Sequence, residues 1–113
     1  MGRSSRTKGA AAERELVREI RKHGFACERT GRNGRTSEDV THDIPGVHME
    51  AKRRETLAIP QWLRQAETDA RPGLVPVVAF RQSRQPWRVV VPLEEFLRLK
   101  QLERASTPLR KAA

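Results

Sequence analysis

The chain has 113 residues, 36% of them hydrophobic, with 23 Lys and Arg against 14 Asp and Glu for a net charge of +9. That length holds one core rather than two, and the lean apolar share favours burying further surface between two copies of the chain. The charge excess points to a polyanionic partner, nucleic acid first, because basic side chains that neutralise phosphates release condensed counterions.

The opening MGRSSRTKG is basic, small and polar, and reads as a flexible arm. From Gly9 to His23 the pattern is helical: Leu16, Val17 and Ile20 share one stripe, which Ala12 extends. Gly24 stands where a helix C-terminus takes a residue that tolerates positive φ. No apolar leader opens the chain, so a cytoplasmic setting is expected. FACERT reads as a strand with Cys27 as a small buried side chain. A single cysteine excludes an internal disulfide and a cysteine-built metal site. GRNGRTSE is a basic loop.

DVTHDIPGVHMEAK reads as a β-hairpin turning at Pro45-Gly46. Pro60 can sit in the first turn of a second helix, QWLRQAETDA, which stops at RPG. LVPVVAF and WRVVVPL are strand-like, parted by RQSRQP. The first of these is the longest apolar run, far too short to span a bilayer, so no membrane partner is expected. LEEFLRLKQLER forms the last helix, apolar at Leu93, Phe96, Leu97 and Leu99. The order α-β-β-β-α-β-β-α predicts a mixed sheet flanked by helices, an α/β or α+β domain.

Several charged residues do not fit a purely structural role. Glu13, Leu16, Val17 and Ile20 fall at i, i+3, i+4 and i+7, which sets a carboxylate on the apolar stripe, while Glu15, Arg18, Glu19 and Lys22 lie on the solvated side. A carboxylate facing the sheet is desolvated unless a cation meets it, whereas at the N-terminal edge of the stripe Glu13 would simply reach water. In the VHMEAK strand the period of two sets His48, Glu50 and Lys52 on one face and Val47, Met49 and Ala51 on the core face. Asp39, opening the hairpin, can bring a carboxylate beside Glu50; Asp43, nearer the Pro-Gly turn, is its rival.

Three carboxylates converging from a helix and a hairpin suit a hard divalent cation, since Mg²⁺ prefers oxygen ligands and keeps several waters. Such a cation offsets charge on a phosphoryl oxygen and acidifies an attacking water. Lys52 beside it would orient that water or stabilise the developing charge. His48 is expected to face nucleic acid or solvent, with a ligand role as the alternative. Trp62 reads as a core or dimer contact.

Glu13 on a helix, then Asp39, then Glu50-Ala51-Lys52 resembles the PD-(D/E)XK nuclease superfamily. Within it, KGAAAERELVREIRKHGFACERT looks like the opening of the archaeal-type Holliday junction resolvases and of their bacteriophage relatives. The resemblance spans roughly residues 7 to 100 and is strongest up to Arg54. It implies a restriction-endonuclease-like core, a phosphodiesterase site dependent on Mg²⁺ (or Mn²⁺), a homodimer and branched DNA as partner. By it Glu13, Asp39 and Glu50 are the metal-binding carboxylates, Lys52 the catalytic lysine and Gln65 a polar residue close to the site. The chain departs from the pattern in two ways. Glu38 stands where the superfamily's name has proline, and the hairpin is short, which keeps Asp43 as a substitute for Asp39. Asp39 is preferred because its D-V start after a glycine-rich basic loop matches the family better.

The expected organisation is a basic flexible arm over 1–8, a nuclease domain over 9–105 and a frayed tail over 106–113. The expected activity is hydrolysis of a four-way DNA junction, with Arg3, Arg6, Lys8, Arg29, Arg32, Arg35, Arg53 and Arg54 as the phosphate contacts. Its alternatives are a nuclease for flaps, nicks or duplex DNA, and a basic DNA-binding module without catalysis.

Overall fold

The computed structural model describes residues 2–30 and 38–106, with side chains from residue 9 onward. Helix α1 (Gly2–Lys22) leads to β1 (Cys27–Arg29), β2 (Val40–His42) and β3 (Val47–Arg53). Then come α2 (Ile59–Asp69), β4 (Val75–Arg81), β5 (Arg88–Val90) and α3 (Leu93–Ser106). The order is the one the sequence predicts, and the architecture is α/β with a mixed sheet. β3 and β4 are parallel, joined through α2, and β5 pairs antiparallel with β4. The short strands β1 and β2 form a separate antiparallel pair.

The α1 stripe behaves as its periodicity requires. Ala12, Leu16, Val17 and Ile20 are buried, and the last three pack with Cys27, Val40, Met49, Val75, Val77 and Ala79. Gly24, at φ 89°, ends the helix, and its N–H donates to the Arg21 carbonyl (3.0 Å). The opposite face of the sheet carries His48, Glu50, Val78 and Phe80 and is covered by α2, whose Ala66 is fully buried. Trp62 on α2 meets Phe80 with ring centroids 6.3 Å apart, a core contact. Both faces of β3 are therefore covered.

Four expectations change. First, α1 begins at Gly2, so the backbone of the expected arm continues the helix. The tail beyond Ser106 lies outside the described residues. Second, β2 and β3 form no hairpin ladder. A single backbone bond, Asp39 N–H to the Met49 carbonyl (3.3 Å), links them, and side chains supply the rest. Third, α3 buries none of its residues; Leu93, Phe96, Leu97, Leu99 and Leu102 are all exposed.

Fourth, Glu15 is not on a solvated side. Its carboxylate accepts from Arg81 Nη1 (2.6 Å) and lies 3.3 Å from Arg53 Nε, so it staples α1 to the ends of β3 and β4. Arg53 and Arg81 are in register and share the α1 face, and one acid meets both. Replacing it strands two half-buried guanidinium groups. Glu15→Ala is expected to lower unfolding stability by about 1–3 kcal/mol in denaturant titration; a change within about 0.5 kcal/mol, the level of ordinary surface substitutions, would show the staple to be idle.

Candidate active site

β3 brings the candidate residues together through its unpaired edge. Residues on the edge away from β4 need partners for their backbone groups, and none comes from a neighbouring ladder. Two consecutive carboxylates fill the gap. Met49 N–H donates to Glu38 Oε2 (2.8 Å) and Ala51 N–H to Asp39 Oδ2 (2.8 Å). Glu38 is itself held by His42, whose Nε2 donates to the same oxygen (2.7 Å). His42 Nδ1 accepts from the Ile44 N–H (3.1 Å), which assigns the ring proton to Nε2. The residue standing in place of the superfamily's proline is thus a clamp for the strand, and Asp39 is pinned beside Glu50 with Oδ1 outside that bond.

The electrostatics of Glu50 report who its neighbours are. Burial pushes its carboxyl up to about 8, and the charges of Asp39, Asp69 and Glu38 push the same way, with Lys52 opposing. Glu50 is 6% exposed, and its Oε2 has no hydrogen-bond partner among the described residues. The charges of Asp39 and Lys52 thus act on Glu50, and so does that of Asp69, which is not among the sequence candidates. Gln65 reaches the cluster through Asp69, donating from Nε2 to its Oδ2 (3.0 Å). The signal for Asp69 was available: it lies one turn beyond Gln65, at the end of the helix that covers the strand.

Other candidates fall elsewhere. Asp43 faces away, accepting from the Ala26 N–H at Oδ1 (2.9 Å), so Asp39 is the aspartate beside Glu50. Glu13 is paired with Arg29 (Nε to Oε1, 3.0 Å) and is not among the charges acting on Glu50. Among the described residues no three His, Cys, Asp or Glu side chains form a ready cluster for a metal, so the expected triad is not preassembled. His48 is 2% exposed and faces neither solvent nor nucleic acid, because α2 covers its side of the strand.

Of the basic candidates, Arg29 and Arg53 are paired with Glu13 and Glu15, and Arg54 is exposed. Arg32 and Arg35 lie outside the described residues, as do the side chains of Arg3, Arg6 and Lys8. An open groove of about 730 Å³, lined by Arg18, Lys22, Arg81 and Trp87 among others, lies on the α1 side and contains no member of the Glu50 cluster.

The donor set fits a hard cation in one respect that the structure itself supplies. Buried Glu50 sits among like charges that raise its proton affinity, and a divalent cation would offset that crowding of negative charge. Asp39 and Glu50 are the residues that would hold it.

Residues 4–111 match the model of the family described as "Phage putative PDDEXK endonuclease", and the chain belongs to that family. It is a nuclease of the PDDEXK type. Among solved structures it is similar to Hjc of Archaeoglobus fulgidus, a Holliday junction resolvase from an archaeal hyperthermophile. Identity is 25%, the TM-score 0.48, and the match covers 70% of this chain and 72% of that chain. No curated protein matches. No helix among the described residues is long and apolar enough to cross a membrane.

The elevated Glu50 value has a consequence for stability. Protonated Glu50 is the form the fold tolerates, so this group costs nothing below its ordinary 4.5 and destabilises increasingly as pH rises toward about 8. Without divalent cations, Glu50→Gln should therefore gain on the native chain as pH rises, by up to about 1.4 kcal/mol per pH unit over that window. Parallel thermal-unfolding profiles from pH 5 to 9 would contradict the placement of Glu50 among these charges.

Proposed function

We propose that this chain is a Mg²⁺-dependent DNA endonuclease that cuts four-way junctions symmetrically as a homodimer. The observation that carries the catalytic part is Glu50. A buried acid beside Asp39, two residues before a same-face lysine, is costly for a fold and useful for phosphodiester hydrolysis.

In this reading Asp39 and Glu50 hold the cation, with Mn²⁺ as a substitute for Mg²⁺. When bound, the cation supplies a Lewis acid against the phosphoryl oxygen and acidifies the attacking water. Lys52 extends from the same face and places an ammonium against the phosphate or the water, where charge develops in the transition state. Gln65 steadies Asp69 at the margin of the site. Glu13, paired with Arg29 here, would join the ligand set only by exchanging that solvent-accessible partner for the cation. Glu38 and His42 keep Asp39 in place throughout.

Recognition of DNA falls to the basic surface around this site. Arg54 makes no ion pair with an acid among the described residues, whereas Arg29 is held by Glu13. The junction preference rests on the resemblance of the N-terminal segment to the resolvases. A twofold-symmetric pair of sites suits two equivalent strands, and the exposed leucines and Phe96 of α3 form an apolar surface that a second copy would cover.

Cleavage of labelled four-way junctions, flaps, nicked and plain duplexes with Mg²⁺ tests this directly. The native chain should cut the junction in preference to the others, in paired strands of like polarity. Lys52→Ala and Glu50→Gln should each lose at least about a hundredfold in rate while junction binding persists. Equal loss of binding and cleavage would make these residues structural, and indifference to branching would leave a general endonuclease.

A further inference from the structure

On the α2 side of β3 two buried polar atoms face each other without a hydrogen bond. His48 Nε2 and Glu50 Oε2 are 3.3 Å apart, and neither atom has a hydrogen-bond partner among the described residues. Leaving a buried polar atom unpaired is costly. An apolar residue at 48 would avoid that cost, since Pro76 stands opposite it in register and buried Val78 lies on the same face of the sheet. An imidazole in this place needs a reason, and the separation is short enough that a small side-chain rotation would let the two atoms satisfy each other.

We infer that His48 is the positioning residue of Glu50: in its Nε2–H form it donates to Oε2, fixes the rotation of the carboxylate and leaves Oε1 to a divalent cation. This rests on Glu50 being a cation ligand. Ligating carboxylates are generally held by hydrogen bonds from an outer shell, which set their orientation and lower the cost of ordering them. The pleat makes His48 the natural donor, for it stands two residues away on the same face. Its chemistry also differs from that of the other neighbours. Asp39, Asp69 and Glu38 are acids and cannot donate when ionised, whereas Lys52 brings a full charge. An uncharged imidazole supplies one N–H without placing a second cation where the divalent ion must sit.

The test compares the native chain with His48→Gln, which keeps an N–H donor, and His48→Leu, which keeps bulk and loses the donor. Mg²⁺ binding is followed by calorimetry without DNA, folding by thermal unfolding, and junction cleavage across Mg²⁺ concentrations. His48→Leu is expected to bind Mg²⁺ about tenfold more weakly, with cleavage restored at correspondingly higher Mg²⁺, while His48→Gln stays within about threefold of the native chain. His48→Leu that binds Mg²⁺ as the native chain does, or His48→Gln that fails as fully as His48→Leu, overturns the inference. Should His48→Leu not fold, ¹⁵N spectra of the native His48 ring at saturating Mg²⁺ decide: an Nε2–H tautomer whose resonance moves in Glu50→Gln supports it, and an Nδ1–H tautomer overturns it. A native chain that neither binds Mg²⁺ nor cleaves defeats the underlying catalytic reading as well, whereas one that does both beside an unaffected His48→Leu defeats this inference alone.

Discussion

The free edge of β3 governs the rest of the molecule. A strand covered on both faces and paired on one edge still has backbone groups to satisfy on the other, and a buried unpaired N–H is costly. Here consecutive acids, Glu38 and Asp39, take the Met49 and Ala51 N–H groups that a neighbouring strand would otherwise take. Closing the edge with side chains instead of carbonyls has a chemical by-product. It fixes negative charge within reach of Glu50, in a protein whose overall charge is +9. The same contacts that finish the sheet thus assemble the acidic site, and the Glu38–His42 bond makes the arrangement rigid.

The two faces of β3 then divide the work. On the α1 face Met49 and Ala51 join the apolar core, and at the strand's end Glu15 draws Arg53 and Arg81 together. Those charges are matched and serve cohesion. On the α2 face Glu50 is unmatched: more acid than base surrounds it, and one of its oxygens has no partner. A fold keeps such a residue at a loss of stability, and the catalytic role proposed for Glu50 would account for that loss in a chain of this nuclease family.

Much of this was legible in the sequence, for identifiable reasons. The α1 stripe and the element order follow from periodicity and turn residues, and the Glu50–Lys52 pair follows from the strand's period of two. What stayed hidden depends on tertiary partners. Glu15 looks solvated on a helical wheel because nothing local announces that Arg53 and Arg81 end up side by side across a parallel pair. His48 looks solvent-facing because alternation distinguishes two faces without telling whether a helix covers the polar one. The Pro-Gly turn suggested a hairpin ladder, whereas the acids at 38 and 39 compete for the same N–H groups. The helical stripe that carries Glu13 does not reveal that Arg29 of β1 pairs with it.

The central claim is that Asp39 and Glu50 together form a seat for a divalent cation. A crystal structure of the chain grown with Mn²⁺, with data collected at the manganese edge, tests it most directly. An anomalous peak within coordinating distance of one Asp39 oxygen and one Glu50 oxygen is the predicted result. Manganese bound elsewhere, with both carboxylates fully ordered and metal-free, would contradict it.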